Sequence, residues 1–104
     1  MENILLKITE IIQDYENGKW QSVDNLRKLL RDLSSNNYHL SKFNIEYFQQ
    51  YNEIQYNFKG SVSAGKILAE KQVPELRITR KIMETVDNVI WSMRSELSII
   101  KNEK

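Results

Sequence analysis

The chain has 104 residues, of which 40 % are hydrophobic and 28 % charged, the balance of a single globular domain spanning residues 1–104 and not of a disordered segment. Three glycines and one proline are too few to turn a β-sandwich or barrel, and the absence of cysteine excludes disulfides, thiolate zinc sites and thiol nucleophiles. A formal net charge of +1 does not commit the chain as a whole to nucleic acid or to anionic lipid.

The opening Met1-Glu2-Asn3-Ile4-Leu5-Leu6-Lys7 lacks the basic and apolar regions of a signal peptide. No apolar run approaches the ~18 residues of a membrane span, so a cytoplasmic location without membrane contact is expected.

Ile4, Leu5, Ile8, Ile11, Ile12 and Tyr15 recur at helical spacing and predict a first helix. Asn17-Gly18 ends it, since glycine readily takes the positive φ of a helix C-terminus. Val23, Leu26, Leu29, Leu30 and Leu33 mark a second helix with Ser22 as N-cap. Ser34-Ser35-Asn36-Asn37 reads as the break that follows. A third helix is expected from about Tyr38 to Lys59 on the stripe Leu40, Phe43, Tyr47, Tyr51, Ile54 and Phe58. Ile45, Phe48 and Tyr56 lie off that stripe, so this helix should be central and packed on two sides.

Gly60 to Gly65 reads as a flexible joint, and Lys66 to Val73 is helix-compatible. Pro74-Glu75 looks like a first helical turn. From it, Thr79, Ile82, Met83, Val86, Val89, Ile90, Met93, Leu97 and Ile100 draw one stripe to the C-terminus. Spacing leaves open whether residues 61–73 stand apart or join the last helix through a kink.

The expected fold is therefore all-α: a small bundle of four helices with a long C-terminal helix, kinked near Pro74 if continuous. At 1.5 Å per residue the first two helices reach roughly 20 Å each, the third about 30 Å and the last at least ~40 Å. Either the short helices stack along the long ones, or an apolar overhang is buried by another molecule. The second outcome implies a homo-oligomer.

Gly60-Ser61-Val62-Ser63-Ala64-Gly65-Lys66 matches seven places of the phosphate-binding loop G-x-x-x-x-G-K-[ST]. The eighth is Ile67, without a hydroxyl for magnesium, and no buried strand precedes the match. His39 is the only histidine and reads as a surface or capping residue. Glu84 and Asp87 share a face with Arg80 and Lys81, as on a solvated, salt-bridged surface. No nucleophile, base or metal constellation can be assembled, so the chain is expected to be no enzyme, with no cofactor, metal or small-molecule substrate.

Trp91 is the more informative residue. It lies nearly opposite the apolar stripe of the last helix among Arg77, Arg80, Glu84, Asp87, Arg94 and Ser95, the composition of a binding hot spot. A second core face covered by the first helix would explain it equally. The expected partner or oligomer interface is Trp91, Arg80 and Arg94 with the overhanging Met93, Leu97 and Ile100. Arg77, Arg80, Lys81, Arg94 and Lys101, with Lys66 and Lys71 upstream, could instead follow a phosphate backbone while Trp91 stacks on a base. Glu70, Glu75, Glu84, Asp87 and Glu96 interleave with them and weaken that field. The tyrosines and amides of the third helix form a polar-aromatic surface, for which core packing is the commoner explanation.

Within Leu68 to Asn102, Val89-Ile90 followed by Ile100-Lys101-Asn102 resembles the C-terminal helix of the small recombination mediator proteins of tailed phages. The resemblance covers about a third of the chain. Between those points the basic and aromatic residues of the pattern are here Trp91, Arg94, Glu96 and Ser98, so it is partly kept. It implies an oligomeric, helical, single-strand DNA-binding accessory that helps to load a recombinase. The residues alone favour a helical interaction module that binds a protein partner and itself, with single-stranded DNA binding as the alternative.

Overall fold

Four helices make up the described residues: α1 (Glu2–Glu16), α2 (Val23–Asn57), α3 (Val62–Gln72) and α4 (Glu75–Asn102). The computed structural model describes residues 1–102, the last two by backbone alone. Each boundary has a local cause. α1 stops where Gly18 takes φ 66° and where the amides of Asn17 and Lys19 fold back onto the carbonyls of Gln13 and Asp14, both at 2.9 Å. Ser22 opens α2 by accepting the Asn25 amide at 3.1 Å, and Ser61 opens α3 by accepting that of Ala64 at 3.2 Å.

The break expected at Ser34-Ser35-Asn36-Asn37 does not form, and α2 runs unbroken for 35 residues. The polar side chains are used inside the helix: Asn36 Nδ2 donates to the Asp32 carbonyl at 2.8 Å, and Asn37 Nδ2 reaches across to Asp87 Oδ1 at 3.3 Å. Leu33 and Leu40 on either side are fully buried, so tertiary packing overrides the weak local propensity. At the other doubtful place the chain does break. Val73 leaves the helical region at φ −127°, ψ 66°, as a residue before proline is driven to do. α3 and α4 are thus separate helices.

α2 packs against each of the other three helices. Its seam is Leu26, Leu30, Leu33, Asn37, Leu40, Asn44, Tyr47, Tyr51, Ile54 and Phe58, in strict steps of four and three. The seam of α4 is Leu76, Thr79, Met83, Val86, Ile90, Met93, Leu97 and Ile100, again in threes and fours. This 3.5-residue period keeps one line of each helix facing the other, as in a coiled coil. The bonds Asn37 to Asp87 and Asn44 to Thr79 set the two antiparallel.

α1 lies against one half of this hairpin. Tyr47 OH donates to Met1 Sδ at 3.7 Å, while Ile11 and Trp20 meet Leu29 at the far end. Tyr15 sits beside Ser92 and Glu96 of α4. Ile8, Leu26, Leu33, Leu40, Val86, Ile90 and Met93 form the core of this three-helix half, each large side chain contributing about 1.5–3 kcal/mol by burial. α3 folds back on the remaining end of α2. There a Cβ on Gly65 would lie 3.1 Å from Phe58 Cδ1, so the glycine lets the two helices approach closely.

The molecule measures 63 × 26 × 19 Å with a radius of gyration of 18.0 Å, against about 13 Å for a compact chain of this length. The two short helices are laid out along the long pair, which is the first of the two expected solutions to the length mismatch. The expected overhang of α4 is consequently absent. Met93 is fully buried, and Leu97 and Ile100 pack against the core, because α1 covers this end of α4. No helix of the described residues is long and apolar enough to cross a membrane.

Candidate interaction face

The α2–α4 hairpin has two sides. On α4, Ile82, Val89 and Glu96, spaced by seven, flank the seam toward α1: the first two pack against the core, and Glu96 lies beside Tyr15. Arg80, Asp87 and Arg94, also spaced by seven, flank it on the opposite side. There Asp87 meets Asn37, and the Arg80 guanidinium sits 5.3 Å from the Phe48 ring centroid. Trp91 falls next to this second row and is 71 % exposed. No helix among the described residues covers it, so a second core face does not explain it.

The same side of α2 carries Arg27, Ser34, Ser41 and Phe48 in one row of sevens and Arg31, Tyr38 and Ile45 in the next. The antiparallel register brings Arg27 and Arg31 to the end occupied by Trp91 and Arg94. All five arginines of the chain, Arg27, Arg31, Arg77, Arg80 and Arg94, therefore lie on the side away from α1, and all are exposed. Arg27 and Arg31 escape a reading of α4 alone; the step of seven that relates them to Phe48 and Ile45 was the signal available.

Most acidic residues lie elsewhere, although Asp24 stands beside Arg27 on this side. Of the five expected to interleave with the cations, Glu84 and Asp87 share the arginine side, and Glu70 lines one groove with Arg77 and Arg80. Glu96 faces Tyr15. α1 carries Glu2, Glu10, Asp14 and Glu16 against Lys7. The net charge of +1 thus conceals a bipolar surface. Nor is the arginine side laced by ion pairs: among the described residues the only ones are Lys19–Asp14 and Arg27–Asp24, both at 3.9 Å, and Arg80 and Lys81 are unpaired with Glu84 and Asp87.

Ile45 and Tyr56, expected to pack on a second face of the third helix, are instead 56 % and 90 % exposed. Phe48 is 43 % exposed at the rim of a groove of about 530 Å³ at the elbow. The groove is lined by Phe48 and Tyr51 of α2, Lys66 and Glu70 of α3, the Val73–Pro74 joint, and Leu76, Arg77, Ile78 and Arg80 of α4. Lys66, Arg77 and Arg80 against Glu70 give the apolar groove a mainly cationic edge.

Compared with protein-family models, curated proteins and solved structures, the chain matches none.

The remaining sequence candidates are dispersed. Residues Val62 to Lys66 of the phosphate-loop match are helical, not the flexible joint expected, and Gly65 is buried against Phe58. The Gly65 N–H donates to Ser61 O at 3.0 Å and the Ala64 N–H to Ser61 Oγ at 3.2 Å, so these amides do not form a phosphate cradle. His39 is exposed in mid-helix beside the Tyr38 ring. Lys81 and Lys71 are exposed, and Lys66 is at the elbow. The side chain of Lys101 lies outside the described residues.

Proposed function

We propose that this chain is a non-enzymatic helical interaction module of the cytoplasm that binds a protein partner, and a second copy of itself, through the side of the hairpin opposite α1. One observation carries the reading: every arginine gathers on that side together with the uncovered Trp91. Arginine and tryptophan dominate interface hot spots, because each offers a large contact area with a polar handle. The acidic α1 side supplies a complementary surface, so a second copy can dock face to back, a heterologous contact that closes into a ring or runs on.

The test is light scattering on a size-exclusion column. A mass above the 12.4 kDa of one chain is expected, falling in Trp91→Ala with helicity retained. A single-chain mass at every concentration overturns self-association.

A second reading rests on the separation of charge. With Glu96 turned toward Tyr15, the five arginines and the aromatic Tyr38, Phe48 and Trp91 suit single-stranded nucleic acid, the ligand that the resemblance of the tail implies. Binding of a short oligonucleotide that weakens steeply with salt would support it. Salt-insensitive assembly without oligonucleotide binding favours the protein partner.

A further inference from the structure

The elbow groove adds a more specific recognition element. Along the α1 half of the hairpin, the chain supplies its own third helix. At the elbow α2, α3 and α4 meet, and the break at Val73–Pro74 leaves an apolar trough between them, lined by Phe48, Tyr51, Val73, Pro74, Leu76 and Ile78. Its volume of about 530 Å³ falls within the roughly 300–1,000 Å³ of clefts that take specific ligands. Lys66, Arg77 and Arg80 stand around it against the single Glu70. None of the three cations is in an ion pair among the described residues. Arg80 lies over the Phe48 ring, an arrangement that leaves its N–H edges free for a carboxylate.

We infer that this groove docks an acidic amphipathic helix of a partner protein, with apolar side chains in the trough and flanking carboxylates on Arg77, Arg80 and Lys66. The inference rests on the interaction-module reading and names its partner's chemistry. Apolar anchors at i, i+3, i+4 and i+7 are how such helices enter grooves. Nucleic acid has no aliphatic side chains with which to fill the trough.

Two synthetic helix-forming peptides test this. Both carry leucines at i, i+3, i+4 and i+7; one is flanked by glutamates and the other by lysines. Fluorescence anisotropy should show saturable binding of the glutamate peptide only. That binding should weaken about tenfold or more in Ile78→Ser and in Arg77→Glu/Arg80→Glu, and stay unchanged in Lys7→Ala, exposed on α1 away from the groove. Ile78 and the arginines are exposed, and circular dichroism verifies that the variants fold.

Equal binding of both peptides, binding of neither, or amide shifts centred on Trp91 in place of Ile78 overturns the groove. So do oligonucleotide-induced shifts at Phe48 and Ile78 without peptide binding. If self-assembly persists in any of these cases, the module reading stands without the groove; a monomer that binds neither peptide nor oligonucleotide removes both.

Discussion

Thr79 is buried completely and uses both capacities of its hydroxyl, donating to the Leu76 carbonyl at 3.1 Å and accepting from Asn44 Nδ2 at 2.7 Å. Polar groups at a helix seam fix register at some expense of stability. Asn37 shows the expense, because its Oδ1 is buried without a partner among the described residues. Gly65 acts by having no side chain. A Cβ would press on Phe58, so Gly65→Val should destabilise by about 1–3 kcal/mol in urea unfolding, although valine is the better helix former. Tyr15 supplies a pH dependence. Burial foremost, and then the charge of Glu96, hold its phenol above the ordinary value, with a hydrogen bond involving Ser92 acting the other way. Below about pH 10 the phenol is neutral both folded and unfolded, and its contribution is intact. Above that, the unfolded chain ionises first and stability falls until the folded pKa is passed. Tyr15→Phe should therefore flatten the alkaline limb of the stability curve; an unchanged limb would refute the assignment.

At the scale of elements, the unbroken α2 is the feature with the sharpest consequence. Ser35 is exposed on that helix, so proline there loses a backbone hydrogen bond and clashes with the preceding turn. Ser35→Pro should cost about 3 kcal/mol or more, whereas a true loop at this place would tolerate it. Helix ends were legible where a residue acts on its own neighbours. Gly18, Ser22 and Pro74 each punctuate the chain as their chemistry dictates. The continuity through Ser34-Ser35-Asn36-Asn37 was not legible, because what holds it is Leu33 and Leu40 buried against α4, a contact between distant parts of the sequence. The interaction face divides in the same way. Trp91, Arg80 and Arg94 could be read from the wheel of one helix; Arg27 and Arg31 join them only through the register of two.

For the molecule as a whole, the all-α class followed from periodicity and scarce breakers, while the shape did not. Unequal helix lengths admitted stacking within one chain, but the expectation favoured an overhang shared between chains. Stacking wins because α1 and α3 occupy successive stretches of α2, one on each half, giving the 63 Å length. That layout has a kinetic corollary. Amides are released to solvent by local opening, and the free energy of opening tracks how much packing must be undone. Around Leu33 and Ile90 three helices must part, but near Ser61 only two, joined across a buried glycine, and the interrupted backbone at Val73–Pro74 lets that tip fray without disturbing α4. Deuterium uptake should accordingly run from slow at the α1 half to fast at the α3 end, a gradient along the rod, and uniform protection from end to end would mean that the joint at Pro74 does not uncouple them.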